Sequence, residues 1–203
     1  MTILSVNKTR DLDGRFAPVL FLWARTAPIF VFWSLTMSKR IRFLAHGAII
    51  AALYAVLTHF QNIVFPGSAT WAIQMRLSEA LCVLAFFTPA APMGLAIGCL
   101  VFNLTFAAAL PLDFAVGTTA TYLAGKCMWH LRNRVLIGLL MPAVWNAVLV
   151  GWELTLFIGG GFWFNALYVA IGELAVLLTA GSGLYTVMKK RRLDSALFGG
   201  VRQ

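Results

Sequence analysis

The sequence predicts an all-α integral membrane protein of six transmembrane helices, with both termini cytoplasmic. Three observations predict it. Of the 203 residues, 61% are hydrophobic and 11% charged, where a soluble domain carries about 25% charged residues. Apolar stretches near the length of about 20 residues that spans a bilayer recur along the chain. The excess of basic residues behind the formal charge of +9 gathers in three clusters, at Lys39, Arg40 and Arg42, at Lys126, Arg132 and Arg134, and at Lys189, Lys190, Arg191 and Arg192. Clusters placed between apolar segments follow the positive-inside rule, and they do not form the continuous basic face that nucleic-acid binding needs.

The elements follow in order. Residues 1–36 read as an N-terminal extension, because Pro18, Arg25 and Pro28 interrupt its apolar run. Met37, followed by a basic start and a clean apolar stretch, reads as the natural start; a helix lying in the membrane interface is the rival reading of the extension. Residues 37–192 form the membrane domain and 193–203 a cytoplasmic tail. The first helix is predicted over Ile41–Phe60. After a loop with Gly and Pro, a short second helix covers Arg76–Phe87 and stops at "TPAAP". The third is predicted over Ala91–Ala109, the fourth over Pro111–Leu131, the fifth over Val135–Ile158 and the sixth over Phe162–Met188. The glycines at 159–161 make the last two a hairpin. With six helices, all three basic clusters fall on one face, which marks it as cytoplasmic.

The acids are distributed unusually. Apart from Asp11 and Asp13 in the extension and Asp194 in the tail, the acidic residues are Glu79, Asp113, Glu153 and Glu173, each in a predicted spanning helix. A carboxylate at mid-membrane costs about 2.5–3.5 kcal/mol, so the four point to a functional or tightly paired cluster. Glu79 and Asp113 lie near the outer ends of their helices. Glu153 is ~8 Å and Glu173 ~16 Å from the outer ends of theirs. Asn146 and Glu153, two turns apart, share a face. Asn165 and Tyr168 line the outer part of the sixth helix. "QMRLSEAL", from Gln74 to Leu81, adds an amide, a guanidinium, a hydroxyl and a carboxylate at the outer surface.

Plainer readings stand beside these. Arg76 and Glu79 at i, i+3 can simply pair and cap the second helix. Asn103 and Asn146 can be interhelical glue. Trp71, Trp152 and Trp163 can be aromatic-belt residues. His46, His59 and His130 are not spaced as metal ligands, and Cys82, Cys99 and Cys127 read as small buried hydrophobes. "ATYLAGKC" departs from a phosphate-binding loop at its first glycine and its final Ser/Thr, inside a membrane helix. No nucleophile–base arrangement or metalloprotease motif is present, so no enzyme, metal or cofactor is expected, and the chain shows no means of hydrolysing ATP.

"QMRLSEAL", "GLAIGCLVFNL", "PLDFAVGTTATYLA", "VWNAVLVGWEL" and "FWFNALYVAIGEL", taken together and in this order, resemble the queuosine-precursor transporter (QueT) family over about Met37 to Lys190. The resemblance implies the six-helix fold of the substrate-binding S components of energy-coupling factor transporters, in the bacterial plasma membrane. It implies as partners a transmembrane T component and two ATPase subunits, and as ligand a small-molecule queuosine precursor. It also implies that small residues at four-residue spacing on the first helix, here Ala48 with Ala52 and Ala51 with Ala55, pack on the T component; such spacing allows close helix approach. Substrate is expected near the outer surface. The residues here that suit a 7-deazaguanine are Trp71, Gln74, Arg76, Glu79, Asp113, Asn146, Glu153, Asn165, Tyr168 and Glu173, because carboxylates accept the ring N–H and exocyclic amine while amides and Arg donate to the carbonyl. The expected substrate is the 7-cyano or 7-aminomethyl form. Queuine, queuosine or another vitamin-like compound, or an autonomous secondary transporter, are the alternatives.

Overall fold

The computed structural model describes residues 38–66, 75–106 and 109–198; the N-terminal extension, Trp71, Gln74 and the last residues of the tail lie outside them. Every regular element among the described residues is helical. They are α1 (Lys39–Val64), a 3₁₀ helix (Leu77–Phe86), α2 (Ala91–Thr105), α3 (Asp113–His130), α4 (Val135–Phe157), α5 (Phe162–Lys190, with a π turn over Leu177–Gly181) and α6 (Leu193–Phe198). Three of these, α1, α4 and α5, are long and apolar enough to cross a membrane, and the 3₁₀ helix and α2 are shorter apolar helices.

Consecutive long helices pack in series, α1 on α2, α2 on α3, α3 on α4 and α4 on α5, while the 3₁₀ helix touches all five. It is therefore the centre of the bundle. Its residues Cys82 to Phe87 form the middle of the apolar core with Ile50, Tyr54, Leu95 and Met128. Around this interior the distribution of polarity is inverted relative to a soluble protein. Leu44, Ile63, Leu136, Trp163 and Phe164 are exposed, while Arg76, Glu79, Asp113, Glu153 and Glu173 are buried. A lipid-facing apolar surface around a polar interior is the arrangement a bilayer selects.

The expected second helix is present but wound as 3₁₀. Such runs rarely exceed 3–4 residues, and at about 2.0 Å per residue they reach further than an α-helix. Here side chains of α1 hold the N-terminal end and the Thr88–Pro92 turn fixes the other, so the segment is stretched between two anchors. Other differences are local. The third helix stops at Thr105, and the fourth starts at Asp113, whose Oδ2 accepts the Leu110 N–H at 2.7 Å. Residues 193–198, expected as part of a tail, form α6, whose buried Phe198 meets the His46 ring edge-on at 5.1 Å.

The close approach of α1 and α2 has a specific cause. A Cβ at Gly98 would lie 2.7 Å from the Ala51 carbonyl oxygen and 2.7 Å from the Tyr54 Cβ. Only glycine lets the two backbones meet there. Ala51 and Ala55 are consequently buried inside the bundle, whereas Ala48 and Ala52 are exposed. The four alanines do not form one outward face: α1 is rotated so that one pair packs on the α2 side and the other points away.

Candidate functional site

The polar residues of "QMRLSEAL" are held by a stripe of α1 that the sequence reading passed over. Tyr54, Thr58 and Gln61 recur at i, i+4 and i+7 and so share a face. The Tyr54 hydroxyl donates to Glu79 Oε1. Thr58 and Ser78 share a hydroxyl–hydroxyl hydrogen bond of 2.7 Å. Gln61 accepts the Leu77 N–H at 2.6 Å through its Oε1 and donates to the Met75 carbonyl. A helix N-terminus leaves backbone N–H groups without intrahelical partners, and Gln61 satisfies one of them from a neighbouring helix. Glu79 is doubly held, because the Cys82 thiol donates to its Oε2 at 2.9 Å. In a 3₁₀ helix residues i and i+3 eclipse, which places Cys82 directly below Glu79.

Arg76 turns inward from the extended residue before the 3₁₀ helix and is 4% exposed. Its guanidinium lies 6.0 Å from the centre of the Phe102 ring. Gly117 lies beside the guanidinium: a Cβ there would be 3.0 Å from Asn103 Nδ2, tight enough to press on the Asn103 amide, and 3.7 Å, an ordinary contact, from Arg76 Nη1. Asn103 donates to the Asp113 carbonyl at 2.7 Å, fastening α2 to the start of α3. The glue reading of Asn103 therefore describes its amide nitrogen, while its Oδ1 has no partner.

From the other side, α4 and α5 deliver Asn146, Glu153 and Glu173, all buried. Asn146 Nδ2 donates to Glu173 Oε1 at 3.0 Å, across the α4–α5 contact. Glu173 Oε2, Asp113 Oδ1 and both carboxyl oxygens of Glu153 have no hydrogen-bond partner. Glu153 is fully buried. The guanidinium of Arg76 is in electrostatic reach of Glu79 and Asp113, of Glu153 and of Glu173. Glu153 lies against Asp113, close enough for the two carboxyls to share a proton, and Glu173 is in electrostatic reach of Glu79. Four carboxyls from four elements are thus within electrostatic reach of one guanidinium inside the bundle.

The arrangement divides by hydrogen bonding. Glu79 has both oxygens engaged by protein donors and orients the cluster. Glu153, one oxygen of Glu173 and one of Asp113 present unused acceptors, and buried acceptors are normally paired. Such a set suits a ligand rich in N–H donors. Among the described residues no three His, Cys, Asp or Glu side chains are grouped so as to hold a metal ion.

Of the other sequence-predicted residues, Asn165 is engaged in the α4–α5 hairpin, donating to Thr155 Oγ1 and to the Gly159 carbonyl, each at 3.0 Å. Tyr168 is exposed, and neither belongs to the buried set. Trp152 and Trp163 are also exposed, as membrane-belt residues are. Tyr54, Thr58 and Gln61 are the residues sequence reasoning missed. Their signal was a polar stripe of period 3.6 inside an otherwise apolar helix.

A family model described as "QueT transporter" matches residues 44–190, well over half of the chain. No curated protein and no solved structure matches.

Proposed function

Since the chain belongs to the QueT transporter family, we propose that it is the membrane-embedded substrate-binding subunit of an energy-coupling factor importer for a queuosine precursor. The observation that carries this reading is the pair of unpartnered oxygens on fully buried Glu153, beside Asp113 and Arg76. A guanine-like edge offers two adjacent donors, a ring N–H and an exocyclic amine, and a carboxylate accepts both. Arg76 donates to the neighbouring carbonyl. The four carboxyls outnumber the one guanidinium, so the aminomethyl form, whose ammonium pairs with Glu173 or Asp113, fits the site better than the cyano form. In this reading six helices span the membrane, both termini are cytoplasmic, and the carboxyl cluster opens outward. Transport is driven by a T component and two ATPase subunits. Exposed Ala48 and Ala52 form the contact with the T component, and Ala51 and Ala55 serve internal packing.

The test is a binding titration of purified protein against the 7-deazaguanine series. The expected order is aminomethyl above cyano, because only the aminomethyl form brings a cation to the excess of carboxyls. Absence of binding across the whole series overturns the substrate assignment. The density of buried carboxyls also favours a proton-coupled secondary transporter; uptake that persists after deletion of the ATPase genes would select that reading over the ATP-driven one.

A further inference from the structure

A cavity of about 310 Å³ lies among the ends of the 3₁₀ helix, α3 and α5, lined by Phe87, Trp129, Arg132, Asn133, Tyr185 and Lys189 among others. It shares no residue with the carboxyl cluster. It belongs to the end of the bundle where the basic residues gather, since Lys126 and Arg134 flank its α3–α4 side and Lys190, Arg191 and Arg192 follow Lys189. Its two cations are held in place by aromatic faces. The Arg132 guanidinium lies 4.4 Å from the Trp129 ring centre, and the Lys189 ammonium 5.4 Å from that of Phe87. Phe87 is in turn stacked on Tyr185 at 5.4 Å.

Both cations keep unused donors. Arg132 gives one hydrogen bond, to the Trp129 carbonyl at 3.2 Å, of the five N–H groups a guanidinium carries. Lys189 donates to Asp194 Oδ2 at 3.2 Å, one of three. We propose that this cavity binds the phosphodiester headgroup of an anionic phospholipid. Phosphate oxygens accept from Arg132, Lys189 and the Asn133 amide. The volume exceeds what a bare phosphate fills and accommodates the glycerol attached to it. Close in sequence to the lining residues, Leu136, Ile137 and Leu140 on α4 and Val187 on α5 are exposed apolar residues that acyl chains of such a lipid would cover. Trp and Tyr at the rim match the headgroup level of a bilayer, and basic pockets between helices at such an interface take anionic headgroups.

The experiment uses the full purified chain. Retention of phosphatidylglycerol and of phosphatidylcholine is compared by native mass spectrometry, and the apo thermal midpoint is followed on adding dihexanoyl-phosphatidylglycerol, dihexanoyl-phosphatidylcholine or inorganic phosphate. The expected result is a preference for phosphatidylglycerol of roughly tenfold or more, lost in Arg132→Gln with Lys189→Gln and kept in Lys190→Gln with Arg191→Gln, a pair equal in charge but outside the cavity. Equal preference for both lipids in the unmodified chain overturns the proposal whatever the variants do. Equal loss in both variant pairs overturns the site in favour of diffuse attraction. Saturation by inorganic phosphate alone reassigns it to a free anion, and displacement of the lipid by a polyglutamate peptide to an acidic protein partner.

Discussion

A carboxyl buried in a helical bundle beyond the reach of any N–H or neutral hydroxyl donor is expensive. Glu153 is in that position, which gives it a behaviour opposite to a structural residue. Each charge-assisted hydrogen bond to the substrate contributes about 1.5–3 kcal/mol, so losing two weakens binding by at least roughly a hundredfold. Glu153→Gln is expected to do this while leaving the ligand-free thermal midpoint unchanged or raised, because an amide crowds Asp113 less than a second buried acid does. Unchanged affinity, or a large fall in the midpoint, would make Glu153 an ion-pair partner instead. Tyr54→Phe has the reverse profile. It strips the donor from Glu79 Oε1 and costs about 1–3 kcal/mol of stability. A double-mutant cycle with Glu79→Gln is expected to return a coupling of about 0.5–3 kcal/mol, and additivity would show that the bond does not matter. The buried acids were legible in the sequence because carboxylates are conspicuous in apolar helices. Tyr54 was not, because one hydroxyl on an aromatic ring barely changes hydropathy.

At the scale of elements, helix positions were legible from apolar run length and from Gly/Pro breaks, while winding was not. The 3₁₀ form is imposed by ties at both ends of the segment, and no property of "LSEALCVLAF" alone demands it. The rotation of α1 was equally hidden. Alanines at four-residue spacing mark two faces at once, and Gly98 on α2 decides which one is inside. Gly98→Leu is therefore expected to separate α1 from α2 and to destabilise by about 1–3 kcal/mol or more. Gly183→Ala on α5, where a Cβ meets nothing within 4 Å, is expected to be neutral or stabilising by up to about 1 kcal/mol. Thermal midpoints of the two variants in the same detergent check the contrast, and equal effects would refute the close-packing account.

For the whole molecule, the charge pattern alone suggested a sidedness, since the basic clusters alternate with apolar segments. The same polarity separates two kinds of failure. In the proposed importer, Ala52→Trp enlarges an exposed side chain and is expected to abolish uptake while substrate affinity stays within about twofold. Ala51→Trp forces an indole into the α1–α2 contact and is expected to reduce the yield of folded protein. Uptake assays in a precursor-requiring strain, beside titrations on purified protein, distinguish them. Loss of affinity in Ala52→Trp equal to the loss of uptake would place that alanine in the folding interior or the site.

The central helix also has a kinematic meaning. Ten residues wound as 3₁₀ extend about 20 Å, and the same ten wound as α extend about 15 Å, with about 20° less rotation per residue. With the Phe86 end held, rewinding would draw Arg76 about 5 Å and Glu79 about 3.5 Å along the bundle axis and turn one end about 200° relative to the other. Among the described residues, Tyr54, Thr58 and Gln61 on α1 hold the segment's N-terminal end against such a movement, and the packing of Cys82 to Phe86 in the core holds the rest. A rewinding of this kind would carry the guanidinium away from the carboxyls in its electrostatic reach, so the winding of this one segment and the composition of the site are linked.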